Sequence, residues 1–369
     1  MIVAITLLGL ILLIAVAVPV VQRIVPAFGR RVTASQRTRF EPLPHYEDGT
    51  FRYPVPTRMT TSVKDMFPVA WEFLKGSPSR KPTGEYPMLQ LGRRDFENPA
   101  EPRVIWFGHS AALLQTDGLT ILFDPMFGNA PSPFPIVGGK RFGGKLPMDL
   151  AELPPIDYVF ITHDHYDHLD YGSIKKLQAK VGHFLVPLGV GNHLRRWGVE
   201  GERITELDWW QEMELGPLKI ACAPSRHFSG RGTGDRDSTL WCSWVIHGKE
   251  SRLYFCGDSG YGPHFKEIGE RYGPFDLTMM ECGQYDERWA AIHMLPEQTV
   301  QAHEDVRGNV LIPIHWGGFT LALHDWNDPP ERVVREAERR GVRIATPMIG
   351  ESVTIGAPAY PTAKWWRGA

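Results

Sequence analysis

Six consecutive residues, His163, Asp164, His165, Tyr166, Asp167 and His168, bring three imidazoles and two carboxylates together one residue after the apolar run 156–161 (IDYVFI). The run reads as a buried strand, so the polar cluster sits where the strand ends. On a continuing strand His163, His165 and Asp167 would share one face while Asp164 and His168 pointed away. A turn instead lets His163 and His165 hold one cation and Asp167 and His168 a second. A solvated polar loop does not call for such a density of ligand types. Asp164 is read as orienting a ligand, serving in proton transfer or facing water, and Tyr166 as packing.

The placement recurs along the chain. His227 follows an expected strand at 218–223, Asp258 follows one at 253–256 through a single glycine, and His315 follows one at 310–314. If these strands share a direction, loops distant in sequence deliver their ligands to one edge of the sheets. His163, His165 and His227 would then hold one cation and Asp167, His168 and His315 the other, with Asp258 bridging through its two oxygens. Singly, the three later residues have ordinary readings: a loop histidine, a helix cap and a half-buried histidine. Further strands are expected at 104–107, 111–115, 119–123 (after an Asp117-Gly118 turn), 184–186, 241–246, 277–280, 343–345 and 352–355. Helices are expected at 173–180, 192–197, 263–272, 296–304 and 330–340. Residues 131–145, rich in Pro, Gly and Phe, read as a long surface loop of the kind that often forms a lid.

With 369 residues, 43% hydrophobic and 22% charged, the chain is an ordinary globular protein with ample core. A formal charge of −2 shows no global basic excess, so a nucleic-acid partner is not expected. Cys222, Cys242, Cys256 and Cys282 lie in or beside apolar runs without a CxxC pair and read as buried free thiols.

Residues 2–22 carry no charged side chain and reach the length of a bilayer-crossing helix. Ala15-Val16-Ala17 resembles a signal-peptide cleavage site, but no Lys or Arg precedes the apolar run, which favours an uncleaved single-pass anchor. Arg23, Arg30, Arg31, Arg37 and Arg39 follow it and place the body on the cytoplasmic side. The expected organisation is an anchor at 1–22, a proline-rich linker or N-terminal extension wrapping toward the body at 23–58, and a catalytic domain at 59–369.

The HxHxDH loop with the later His227, Asp258 and His315 resembles the metallo-β-lactamase superfamily. The segments at 106–127, 224–232, 254–265, 293–303 and 312–326 are similar to its branch containing N-acyl-phosphatidylethanolamine-hydrolysing phospholipase D and bacterial relatives. The resemblance implies an α/β fold, a four-layer αββα sandwich. It also implies that His163, His165, His227 and Asp258 hold a first metal, and Asp167, His168, Asp258 and His315 a second. Zinc suits the histidine-rich set, and manganese or iron suits the carboxylates. Two cations about 3.5–4 Å apart generate hydroxide at neutral pH and polarise a phosphoryl or acyl oxygen. The expected activity is therefore phosphodiester hydrolysis of a phospholipid by a metal-bound hydroxide, with Asp164, Asp258 and His293 as candidate catalytic residues. The covalent phospholipase D pattern HxKxxxxD begins at His247-Gly248-Lys249 but finds Tyr at 254.

Around the metals, Asp124 resembles the carboxylate that fixes a ligand's tautomer, against a plain turn residue before Pro125. His109 orients the metal loop or is simply a satisfied buried histidine. His293 and His324 contact the phosphate or leaving group, or are loop histidines. Arg226 or Arg231 would meet an anionic substrate. Phe127, Phe134, Pro135, Ile136 and Phe142, with the tail Trp365-Trp366-Arg367, are candidates for docking at a lipid interface, or else core and ordinary surface. An enzyme acting on a soluble ester, lactone or sugar-phosphate lactone is the second reading, and a non-catalytic, metal-stabilised membrane scaffold the third.

Overall fold

In the computed structural model the chain is described over residues 2–57, 63–97 and 99–369, apart from the side chains of 2–5, 7, 8, 10–12, 14 and 63–66. Two seven-stranded sheets face each other. The first contains β3 (Arg103–Trp106), β4 (Ala112–Thr116), β5 (Leu119–Phe123), β6 (Ile156–Phe160), β7 (Val181–Pro187), β8 (Ile204–Leu207) and β16 (Ser352–Thr354), in the order β16-β3-β4-β5-β6-β7-β8. The second contains β9 (Glu212–Leu215), β10 (Leu218–Ala223), β11 (Ser243–His247), β12 (Arg252–Phe255), β13 (Phe275–Glu281), β14 (Gly308–Ile314) and β15 (Arg343–Ile344), in the order β15-β14-β13-β12-β11-β10-β9.

The inner strands are buried on both faces, as their near-continuous apolar sequences require, whereas the edge strands β9 and β15 are partly exposed. Between the sheets, Phe123 stacks on Phe255 at 4.5 Å and Phe160 meets Trp244 edge-on at 5.0 Å. Alternation sends Leu122 and Val159 to the opposite face, where they pack with Ile174 and Leu177 of α4 (Tyr171–Leu177) and Leu194 of α5 (Gly191–Arg196). Helices α6 (His264–Tyr272), α7 (Pro296–Asp305) and α8 (Asp328–Arg340) cover the second sheet. The result is the expected αββα sandwich. Asp117 and Gly118 turn the β4–β5 hairpin with φ of 52° and 75°, the positive pair that a two-residue turn needs.

Residues 23–57 are more than a linker. Helix α2 (Ala34–Phe40) starts with a Thr33/Gln36 capping box, and the small hairpin β1 (Tyr46–Glu47) and β2 (Thr50–Phe51) follows. Phe40, Tyr46 and Phe51 are buried in the main core. Trp197 Nε1 donates to Pro26 O at 2.7 Å and Phe51 N to Asp237 O at 2.7 Å.

Before it, α1 (Ile2–Ile24) is one 23-residue helix. Its last turn is docked on the body, where Arg196 donates to Arg23 O at 2.6 Å and Thr233 Oγ1 to Gln22 Oε1 at 3.2 Å. Among the described residues no helix is long and apolar enough to cross a membrane, so the single-pass anchor expected at 1–22 is not shown. The expected interfacial residues also divide. Phe127, Phe142, Trp365 and Trp366 are buried, Trp365 stacking on Trp316 at 5.3 Å, and only Phe134, Pro135, Ile136 and Arg367 of that set lie on the surface.

Candidate metal centre

Strand direction assembles the site. β5 and β6 are parallel, so Asp124 and the 163–168 loop leave the first sheet at the same edge. β12, β13 and β14 are mutually parallel, and β10 shares their direction because two antiparallel steps separate it from β12. His227, Asp258, Glu281 and His315 therefore arrive at one edge of the second sheet, and the two edges meet.

His163 Nε2 lies 2.9 Å from His165 Nδ1, which lies 3.2 Å from His227 Nε2. Asp258 Oδ2 is 3.8 Å from His163 Nε2 and 3.7 Å from His227 Nε2. The other oxygen, Asp258 Oδ1, is 3.2 Å from His168 Nε2 and 3.1 Å from His315 Nδ1. Asp167 Oδ2 completes this second set, 3.5 Å from His168 Nε2 and 4.0 Å from His315 Nε2. Ligand atoms around one zinc lie roughly 3.3 Å apart when Zn–N bonds of about 2.0–2.1 Å point tetrahedrally. The observed spacings straddle that value, and Asp258 offers one oxygen to each set.

Two further observations test the fit. Among the described residues, His168 Nε2 and Asp258 Oδ1 are buried without a hydrogen-bond partner, an arrangement that a cation between them would complete. The electrostatics also call for positive charge there. Burial opposes protonation of His168, but Asp258, Asp167 and Asp124 outweigh it and raise its pKa well above the usual value. Burial and neighbouring imidazoles hold His163, His227 and His315 well below theirs, and burial takes His165 down to about 4. Burial also lifts the Asp258 carboxyl to about 6. Neutral imidazoles facing buried carboxylates form a donor set for divalent metal ions.

The supporting residues separate clearly. Asp124, fully buried, accepts from His168 Nδ1 at 2.7 Å, from Thr162 N at 2.8 Å and from Thr162 Oγ1 at 2.6 Å. His109 Nε2 meets Asp167 Oδ2 at 2.9 Å. His109, Asp124 and His315 have φ of 54°, 38° and 65°, left-handed values that cost non-glycine residues about 1–3 kcal/mol each and that cluster at functional sites. Asp164 lies close by but faces elsewhere: its oxygens accept from Gly230 N at 2.8 Å and Thr239 Oγ1 at 2.9 Å and meet His193 Nε2 at 3.2 Å. Burial works against its charge, yet these bonds hold it below the usual carboxylate range. Asp164 is thus a post that braces the loop.

His293 sits beside the centre, its ring 5.0 Å from that of His227 and 5.1 Å from that of His315. Its Nδ1 is held at 2.9 Å by Glu281 Oε2, whose other oxygen accepts from Met294 N at 2.7 Å. Glu281 escaped the sequence reading, although its signal has the same form as the others: an acid at the end of the apolar strand β13. His324 does not join the centre, since Nε2 accepts from Gln284 N at 2.8 Å and Nδ1 donates to Asp325 O at 2.8 Å. The two arginines serve as braces. Arg226 donates to Tyr261 O and Pro56 O, and buried Arg231 to Ala27 O, Leu169 O and Asp164 O.

The Beta-lactamase superfamily domain profile matches residues 120–316. A Mycobacterium tuberculosis protein described as uncharacterized is 43% identical over 90% of each chain. The Caenorhabditis elegans protein named N-acyl-phosphatidylethanolamine-hydrolyzing phospholipase D 1 is 32% identical over 68% of this chain and 73% of its own. Among solved structures, a metallo hydrolase from the archaeon Ignicoccus hospitalis aligns with a TM-score of 0.54 at 22% identity, covering 70% of this chain and 100% of that one, a likeness of fold.

Proposed function

Because the chain belongs to the beta-lactamase superfamily and is a metal-dependent hydrolase, we propose that it hydrolyses the phosphodiester of N-acyl-phosphatidylethanolamine-type phospholipids, an activity of the phospholipase D type. The observation that carries the reading is Asp258, whose two oxygens are divided between two converging ligand sets. The named phospholipase D relative supports the lipid.

Two divalent cations, when bound, lower the pKa of water and neutralise charge on a phosphoryl group. The remaining work belongs to the chain. His163, His165 and His227 would hold one ion, Asp167, His168 and His315 the other, and Asp258 keeps a negative charge between them. Asp124 and His109 fix the orientation of His168 and Asp167. Burial raises the Glu281 carboxyl well above its usual range, so it donates to Nδ1 of His293 and leaves the ring proton on Nε2, from where it hydrogen-bonds a phosphoryl oxygen or passes to the departing alkoxide while the Glu281 proton moves onto Nδ1. No side chain is required as a nucleophile.

The test is mass-spectrometric detection of N-acylethanolamine and phosphatidic acid, in equal amounts, from vesicles of N-acyl-phosphatidylethanolamine treated with metal-loaded full-length protein. Chelation and Asp258→Asn should each abolish it. Turnover of lactones or esters by metal-replete protein that leaves the phospholipid intact would replace the reading with the soluble-substrate hydrolase. Inactivity on all three substrate classes would favour the scaffold. A cytoplasmic body held at the membrane is part of the same proposal, supported by the arginines that follow α1 and by exposed Leu13, Val16 and Val20. Protease protection in intact against permeabilised cells tests it.

A further inference from the structure

A second site lies on the flank of the metal centre. The Arg141 guanidinium sits 4.6 Å from the Phe319 ring, and that ring meets His109 edge-on at 5.3 Å. Outside this contact, between the loop at 138–143 and the end of α3 (Val63–Lys75), is a cavity of about 460 Å³. Arg80, Lys81, Lys140 and Arg141 line it, and among the described residues no carboxylate does.

The two arginines are held in place by backbone carbonyls, which fix a guanidinium without cancelling its charge. Arg141 donates to Met126 O and Gly128 O, and Arg80 to Glu72 O and Leu323 O. Lys81 and Lys140 are exposed and, among the described residues, neither pairs with an acid. Four like charges around one hollow repel one another, and an anion entering it relieves that repulsion.

The rim is apolar. On α3, Phe67, Trp71 and Leu74 are 71%, 53% and 80% exposed. Their spacing of four and three residues puts them on one stripe of the helix. The loop adds Ile136, at 92%, and Val137. Exposed apolar groups on two segments that both wall one basic cavity mark an interaction surface. Aromatic and aliphatic groups beside unpaired lysines suit the interfacial zone of a bilayer, where the apolar groups enter the acyl boundary and the cations meet phosphates.

We infer that this face docks on an anionic phospholipid bilayer, with the α3 stripe and the tip of the 134–137 loop inserted and one lipid phosphate seated among Arg80, Lys81, Lys140 and Arg141. Burial of Arg141 lowers its pKa only to about 10, so it stays charged at neutral pH. The inference deepens the phospholipid reading and rests on it only in naming the surface from which substrate is drawn. Docking there sets the flank of the metal centre against the membrane that supplies the lipid.

All four native cysteines are buried, so Leu74→Cys or Ile136→Cys gives the full-length chain a single accessible thiol for an environment-sensitive dye. A dye at these positions reports local insertion whatever α1 does. Vesicles of phosphatidylcholine mixed with phosphatidylglycerol should shift its emission to the blue, and pure phosphatidylcholine should do so far less. At about 1 kcal/mol per cation near an anionic surface, Lys81→Ala or Lys140→Ala should weaken the response about fivefold and the pair about thirtyfold. Both lysines are exposed, and an unchanged melting temperature confirms that the variants remain folded. An absent shift, an equal shift on both vesicles, or full response in the double variant overturns the inference. So does inorganic phosphate that binds the pocket of the wild-type protein while vesicles leave the dye unmoved, which would make this a free-anion site. The vesicles contain no N-acyl lipid, so the result is independent of whether N-acyl-phosphatidylethanolamine is hydrolysed.

Discussion

Asp124→Asn changes one atom of a buried carboxylate that touches no proposed cation, and its consequence follows from the hydrogen bonds. In the wild type Asp124 Oδ1 accepts from Thr162 N, and Oδ2 accepts from both His168 Nδ1 and Thr162 Oγ1. With a cation in place of the Nε2 proton, His168 would therefore keep its ring proton on Nδ1 and present the Nε2 lone pair to the centre. An asparagine offers one acceptor and one NH2. If its oxygen stays on Thr162 N, the NH2 can donate to Thr162 Oγ1 but also faces His168 Nδ1–H, which loses its acceptor unless the imidazole adopts the other tautomer, with the proton on Nε2 where the cation would bind. If the amide flips, the NH2 meets Thr162 N–H and a buried donor is left unpaired, at a cost of about 1–3 kcal/mol.

Loss of such a partner typically lowers metal affinity or activity roughly 10- to 100-fold, equivalent to about 1.4–2.7 kcal/mol. The loss should be selective. His165 and His227 do not touch Asp124, and His163 reaches it only through Thr162 Oγ1, so metal content after dialysis against a weak chelator should fall toward one ion per chain. Emission spectrometry of the dialysed protein, run beside lipid turnover and thermal melting, checks this. Wild-type loading of both sites with unchanged turnover would refute the tautomer argument.

Three other outcomes are expected. Glu281→Ala frees the ring of His293 and should lower kcat by roughly 10- to 100-fold with metal content unchanged, as steady-state kinetics with metal analysis would show. Gly257→Ala would set a Cβ 2.7 Å from Thr162 Cγ2 at a φ of +60°, and should lower stability by about 1–3 kcal/mol in denaturant titration, with weaker metal loading because Thr162 positions Asp124. His303, buried against Thr278 Oγ1, has its pKa lowered by burial to about 4. Between its ordinary value near 6.5 and about 4 the unfolded chain takes up a proton that the folded chain refuses, so stability falls as pH drops through this window and levels off below it. Melting curves across that range should be flatter for His303→Gln.

The metal ligands were legible because each follows a strand whose apolar run is visible in sequence. The remaining requirement, a shared strand direction, is a property of the sheets, and β10, β12 and β14 meet it. Glu281 obeys the same rule but carries no motif, and a lone acid after MetMet reads as a strand cap. His324 shows the reverse: a histidine flanking a family-like stretch, whose ring nitrogens are both taken by backbone groups that sequence cannot place. That residues 23–57 wrap toward the body was legible, but the depth of their packing was not, for a related reason. Phe40, Tyr46 and Phe51 show neither helical nor strand periodicity among their prolines, and their burial depends on surfaces supplied by residues far along the chain.

The aromatic residues follow the same division. Phe127 and Phe142 belong to the same loop region as Phe134 and Ile136, yet the first two fill the core while the others face outward. Composition marked the region and tertiary packing assigned the roles. Where the sequence allows both interface and core, the deciding quantity is the presence of an opposing apolar wall: Trp365 finds one in Trp316 and Trp106. Within the protein Phe67, Trp71 and Leu74 remain exposed. That asymmetry, one set of aromatics with a wall and another facing solvent beside a ring of cations, is why the flank of the metal centre points to a bilayer as the missing partner.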